Sequence, residues 1–152
     1  MNNLTLFTGA IVCAAIITNN SSNINNHPLS FCESNQVIGN YINYSPEIAK
    51  NLKLLESFAN LEKGWNGYDA EPISRDLVSK VQSIVCQLQT QPEIFPTGRK
   101  SIQLEYENDE GYLEFEIFDN FDVLAYVEQG NIKKEEKIDL RDISNWVKEF
   151  YG

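Results

Sequence analysis

Residues 101–118 read Ser101-Ile-Gln-Leu-Glu-Tyr-Glu-Asn-Asp-Glu-Gly-Tyr-Leu-Glu-Phe-Glu-Ile-Phe118 (SIQLEYENDEGYLEFEIF), and the period of two in this stretch decides the fold. Ile102, Leu104 and Tyr106 alternate with Gln103, Glu105 and Glu107; after the turn, Leu113, Phe115 and Ile117 alternate with Tyr112, Glu114 and Glu116. Successive side chains of a strand point to opposite faces, so each half buries one face and wets the other. A tight turn over 108–111 sets Leu104 opposite Phe115, Ile102 opposite Ile117 and Tyr106 opposite Leu113. That register puts every apolar residue on one face, as a hairpin needs.

The pattern continues outward in both directions. A three-residue Asp119-Asn-Phe121 turn sets Val123 opposite Ile117 and Ala125 opposite Phe115, and residues 132–138, rich in Lys and Glu, suit a fourth, edge strand. Upstream, Ser45-Pro46-Glu47 is a helix start, with Ile48, Leu52, Leu55, Phe58 and Leu61 on one face. Ser74 caps a second helix carrying Leu77, Val81, Ile84 and Leu88. Asp139 or Asp142 caps a last one with Leu140, Ile143, Val147 and Phe150 facing inward. Helices are expected near 46–62, 75–90 and 141–150, with strands near 101–107, 112–118 and 122–128. The class is α+β: two N-terminal helices, an antiparallel three- to four-stranded meander, and a C-terminal helix packed on one sheet face. Pro92-Glu-Ile-Phe-Pro-Thr-Gly-Arg-Lys100 reads as a rigid lead-in to the first strand, its Arg99 and Lys100 placed to neutralise the acidic face in part or to bind an anion.

The chain of 152 residues divides into an apolar, then Asn/Ser-rich flexible segment over 1–43 and one α+β domain over 44–152. Leu4–Ile17 is an apolar run of 14, the length of a signal core but short for a bilayer span. No Lys or Arg precedes it, which favours a cytoplasmic protein; export or membrane tethering is the alternative if residues 4–17 act as a signal or tether. The formal net charge of −10 argues against nucleic acid as a partner, because phosphate binding needs clustered Lys and Arg. Three cysteines (Cys13, Cys32, Cys86) without a CxxC spacing suggest neither a disulfide framework nor zinc, and a single histidine, His27, makes a triad or a His-based metal site a poor fit. No cofactor and no metal are expected.

Two regions stand out as candidate surfaces. Residues 101–132 hold nine carboxylates (Glu105, Glu107, Asp109, Glu110, Glu114, Glu116, Asp119, Asp122, Glu128) and no Lys or Arg. The register sets Glu105 directly opposite Glu114, and facing like charges destabilise a sheet. An outer face of solvated carboxylates is the plain reading; docking of a basic protein partner, or acid/base use of the Glu105/Glu114 pair, are the functional ones. The second region is Leu61–Ser74, LEKGWNGYDAEPIS, where Gly64 and Gly67 allow a sharp reversal. There Trp65 and Tyr68 are expected to pin a connector; as a site they would form a stacking pocket, with Asp69 or Glu71 as polar reader. The binding candidates are therefore Glu105, Glu107, Glu114, Glu116, Trp65, Tyr68, Asp69 and Arg99, none of them assigned as catalytic.

Residues from about Leu54 to Val127 resemble a group of small, largely uncharacterised bacterial proteins, many encoded on phages and other mobile elements. The resemblance rests on three ordered segments: Gly64-Trp65-Asn66-Gly67-Tyr68-Asp69-Ala70-Glu71-Pro72-Ile73, Pro92-Glu93-Ile94-Phe95-Pro96-Thr97, and Ser101-Ile102-Gln103-Leu104-Glu105-Tyr106. It covers about half the chain and implies a common fold without bringing an activity. Its shared segments are structural punctuation plus one carboxylate, Glu105, which fits a binding module better than an enzyme. The expectation is a small acidic, non-catalytic regulator of antitoxin, immunity or anti-defence type. A small-ligand-binding protein, or a carboxylate-based hydrolase using the acidic face and the Trp65/Tyr68 loop, is the alternative.

Overall fold

In the computed structural model the described residues are 37–38, 41–42 and 44–152. The apolar run Leu4–Ile17 and most of the segment expected to be flexible lie outside them. Within that segment, β1 (Val37–Ile38) and β2 (Tyr41–Ile42) pair antiparallel in a two-stranded ladder of their own. The chain then runs through α1 (Pro46–Phe58), α2 (Arg75–Val85), β3 (Glu93–Thr97), β4 (Ser101–Asn108), β5 (Gly111–Phe118), β6 (Val123–Gln129), β7 (Ile132–Ile138), a 3-10 turn (Leu140–Asp142) and α3 (Ile143–Tyr151).

Strands β3 to β7 form one antiparallel sheet in sequence order, so the fold is α+β with a five-stranded meander and a C-terminal helix. The extra strand is β3. Residues 93–97, expected as a rigid lead-in, pair with 101–105, Ile94 facing Leu104 and Thr97 facing Ser101. Pro96 is compatible with this because an edge strand needs donors on one side only. The β4–β5 ladder joins Ile102 to Ile117, Leu104 to Phe115, Glu105 to Glu114 and Tyr106 to Leu113. Asn108 closes its turn by accepting from the amides of Glu110 (2.8 Å) and Gly111 (2.9 Å).

One sheet face is buried. Ile94, Ile102, Leu104, Leu113, Phe115, Ile117, Val123 and Ala125 meet Leu55, Phe58, Leu77, Val81, Val85, Ile143, Val147 and Phe150 from the helices in a single core. Asn51 of α1 ties that helix to the start of β3 by donating to the Pro92 carbonyl at 3.1 Å.

Side chains set where the helices begin and end. Ser45 and Ser74 accept from Ile48 and Leu77, the N-cap bonds their positions call for. α1 stops at Phe58, before Gly64: the amides of Asn60 and Leu61 turn back to Ser57 and Phe58. α2 stops at Val85, where Gln91 Nε2 donates to the carbonyls of Val85 (3.0 Å) and Leu88 (2.9 Å). Asp139 caps the 3-10 turn rather than α3, accepting from Arg141 N at 2.9 Å, while Asp142 makes no side-chain cap bond.

Among the described residues no helix is long and apolar enough to cross a membrane.

Candidate functional site

The outer face of the sheet carries the candidate residues in rows that run across the strands. One row is Glu93, Glu105, Glu114, Tyr126 and Glu135, each directly opposite its neighbour on the next strand. Three carboxylates thus stand side by side on β3, β4 and β5. Glu93 was not singled out by the sequence pattern, because its strand read as a connector; the pairing of the short stretch Glu93–Thr97 with Ser101–Glu105 is the signal that would have found it.

The row is polarised by its neighbours. Both oxygens of Glu114 are engaged, Oε1 by Gln103 Nε2 and Oε2 by the Tyr112 hydroxyl, each at 2.8 Å. Burial raises Glu105 above the ordinary carboxylate value, the facing Glu114 and then Glu93 add to the rise, and the Tyr112 hydroxyl offsets part of it. Burial and the Glu114 carboxylate in turn hold the Tyr112 hydroxyl protonated far above its usual range. The Tyr112 and Tyr126 rings lie 6.2 Å apart on this face, so aromatic surface is interleaved with the acids. Beside the row, Glu93, Glu105, Glu107, Asp109, Tyr106, Tyr112 and Tyr151 help line an open cleft of about 510 Å³.

The other end of the same face is built differently. Glu116, expected among the exposed acids, is only 3% exposed. Its carboxylate accepts from Arg99 Nη2 and from the Ser101 hydroxyl, and Ser101 is itself fully buried and bonded to Thr97 Oγ1. Glu116 therefore offers no charge to a partner, and Arg99 serves that one acid instead of neutralising the row. The Arg99 guanidinium stands 5.9 Å from the centre of the Phe118 ring.

The Leu61–Ser74 loop is held by residues other than those expected. Tyr68 is 83% exposed and pins nothing. Ala70 is buried instead, and its carbonyl accepts from Gly64 N at 2.7 Å. Asn66 Oδ1 accepts from the amides of Tyr68 (2.9 Å) and Ala70 (3.4 Å). Trp65 does anchor, half-buried and donating from Nε1 to the Glu71 carbonyl at 3.3 Å. Asp69 is exposed, and Lys63 takes the Glu71 carboxylate in a surface ion pair. The loop lies against the β3–β4 turn, where a Cβ on Gly98 would sit 3.3 Å from Asn66 Nδ2.

Glu105 stands four residues from Ser101 at that turn, about 13 Å along the strand. Neither Trp65 nor Tyr68 lines the cleft beside the acidic row. Among the described residues, the loop aromatics and the carboxylate pair do not line this cleft together. Among the described residues no group of three or more His, Cys, Asp and Glu side chains is placed to hold a metal ion. No protein-family model, no curated protein and no solved structure matches this chain.

Proposed function

We infer that this chain is a non-catalytic protein-binding module that docks a basic partner through the carboxylate end of its outer sheet face. The carrying observation is the in-register row Glu93–Glu105–Glu114. Each facing like-charged pair costs stability in the isolated protein, and residues 101–132 supply no Lys or Arg to offset it. A partner presenting Lys and Arg removes that cost on binding and is steered in at low ionic strength. The Tyr112 and Tyr126 rings beside the row favour arginine, whose planar head stacks on aromatic faces.

The resemblance to proteins of mobile elements supports, by analogy, a regulator of antitoxin, immunity or anti-defence type acting in the cytoplasm. The hydrolase alternative draws on the raised Glu105 beside the hydrogen-bonded Glu114. It is the weaker reading, since the loop aromatics stand apart from the cleft beside Glu105.

The test is capture of host proteins by the full chain and by Glu105→Lys/Glu114→Lys, washed at low and at raised salt. A partner with a basic surface should be retained by the wild type, shed as salt rises, and lost from the double variant. Equal capture by both proteins would reduce the acidic row to a solvated surface.

A further inference from the structure

At the opposite end of the outer face, the β3–β4 and β5–β6 turns and β7 border a second open cleft, of about 500 Å³. Phe118 and Leu124 give it apolar surface, and its rim carries Arg99, Lys100 and Lys137. Asp119 and Asp122 also stand on the rim, and Lys137 pairs with Asp122 at 2.8 Å. That volume falls within the roughly 300–1,000 Å³ of small-ligand sites, which combine an apolar lining with a few placed polar groups.

Two features make this more than a surface dip. The first is the support beneath Arg99. A buried carboxylate is costly, and an apolar residue at position 116 would serve stability as well or better. Glu116 is nevertheless buried, braced by Ser101 and Thr97, and holds one Nη of Arg99. Phe118 steadies the same guanidinium from the side. The result is a positioned cation, 70% exposed, with Nη2 alone engaged among the described residues. Pre-positioning of this kind lowers the ordering cost of binding.

The second feature is backbone conformation. Both turns at this end place a non-glycine residue in the left-handed region, Lys100 at φ 59° and Phe121 at φ 66°. Glycine is the relaxed choice there. Lys100 makes no hydrogen bond or ion pair among the described residues, yet it is held in the less favourable conformation at the cleft rim.

We propose that this cleft binds a small ligand made of a flat apolar body bearing one anionic group, the anion received by Arg99 and Lys100 with Lys137 alongside. The body lies over Phe118 and Leu124. Asp119 and Asp122 set the limit of one such group, because a polyanion would be repelled by them, and the neighbouring carboxylate row excludes nucleic acid on the same ground. A carboxylate and a phosphate satisfy this chemistry equally. The site is independent of the docking reading, which uses the other end of the face.

The full-length, isotope-labelled chain would be titrated with phenyl phosphate, benzoate, inorganic phosphate and benzyl alcohol while amide and side-chain resonances are followed. The expected result is saturable shifts at Arg99, Lys100, Asn120, Leu124 and Lys137 with one or both phenyl anions, and weaker ones or none with inorganic phosphate or the neutral alcohol. Which phenyl anion binds assigns the phosphate or the carboxylate source. Lys100→Ala, an exposed change that leaves the fold intact, should weaken binding roughly three- to ten-fold, the scale of one exposed charged contact, while Glu105→Lys/Glu114→Lys should leave the shifts in place. Absence of shifts with both phenyl anions, equal binding of benzyl alcohol, or undiminished binding by Lys100→Ala would overturn the assignment.

Discussion

Glu105 and Glu114 face each other directly across β4 and β5, and only Glu114 has both oxygens held by hydrogen bonds at 2.8 Å. Glu105 bears the cost of the pairing: burial, Glu114 and Glu93 all raise its pKa. The folded protein therefore binds this proton more tightly than the unfolded chain does. Relative to an uncharged side chain, the penalty is absent below the ordinary value of 4.5 and complete above the raised folded value. Glu105→Gln should stabilise the protein at pH 7 by about 0.5 kcal/mol, within the range for cross-strand pairs and reduced by solvent screening. Thermal melts from pH 3 to 8 would show the gain growing with pH and vanishing at the acid end; a gain independent of pH would remove the charge argument.

The Arg99–Glu116 pair should respond asymmetrically to mutation. Arg99→Ala leaves a buried carboxylate with only the Ser101 hydroxyl, at a cost of about 1–3 kcal/mol. Glu116→Gln removes the buried charge and keeps one acceptor oxygen, while the exposed Arg99 can turn to water and the Ser101 hydroxyl can accept from the new amide, so it should cost less than about 1 kcal/mol. Denaturant unfolding of both variants and of the double variant checks this, and a larger loss for Glu116→Gln would contradict it.

Two glycines in neighbouring hairpins should behave very differently. A Cβ on Gly111 would lie 2.2 Å from the Glu128 carbonyl oxygen and 2.9 Å from Gln129 Cα, both backbone atoms, so β5 and β6 must part to admit it. Gly111→Ala should cost about 2–3 kcal/mol. Gly130 sits at φ 59° with open space where its Cβ would be, and Gly130→Ala should cost only the conformational term, about 1 kcal/mol. Melting of the two variants side by side separates a clash from a strained backbone.

The strands legible in the sequence were those with a clean period of two. Four facing pairs (102/117, 104/115, 105/114 and 106/113) follow from alternation alone once one turn is placed. β3 did not stand out, because five residues containing Pro96 show too short an alternation to tell strand from connector. The site was legible as to face but not as to depth. Alternation puts Glu116 on the outer face, yet what buries it is Arg99 folding over from a turn, a contact between side chains that no period encodes. The loop misled in a related way: the large aromatic at 68 looked like the anchor, whereas the small Ala70 fits against the turn at Gly98.

That contrast predicts the loop's mutational profile. Tyr68→Ala should change stability by no more than about 0.5 kcal/mol, as expected for an exposed side chain away from any contact network. Asn66→Ala removes acceptors for two backbone amides and should cost about 1 kcal/mol. Trp65→Ala, losing a half-buried ring and its bond to Glu71, should cost more than either. A large loss from Tyr68→Ala in a urea titration would contradict the reading of that ring as a free surface group.

Lys100 offers a direct test of whether its strained turn serves binding. The left-handed conformation at φ 59° costs a non-glycine residue roughly 1–2 kcal/mol. Replacement by glycine removes that strain, and the greater freedom of glycine in the unfolded chain returns about 0.5–1 kcal/mol. Since Lys100 has no polar partner to lose among the described residues, Lys100→Gly should stabilise the protein by about 0.5–1 kcal/mol, a rise of a few degrees in Tm. Phe121→Gly relieves a similar strain but gives up the contact of its exposed ring with Lys80, so its net effect should be smaller than that of Lys100→Gly. The same Lys100→Gly protein should bind phenyl phosphate or benzoate more weakly than the wild type. Stability rising while affinity falls is the signature of a residue kept for its charge at the expense of its turn. If Lys100→Gly raises Tm and binds the phenyl anions undiminished, Lys100 is only a strained turn residue and the anion assignment falls with it.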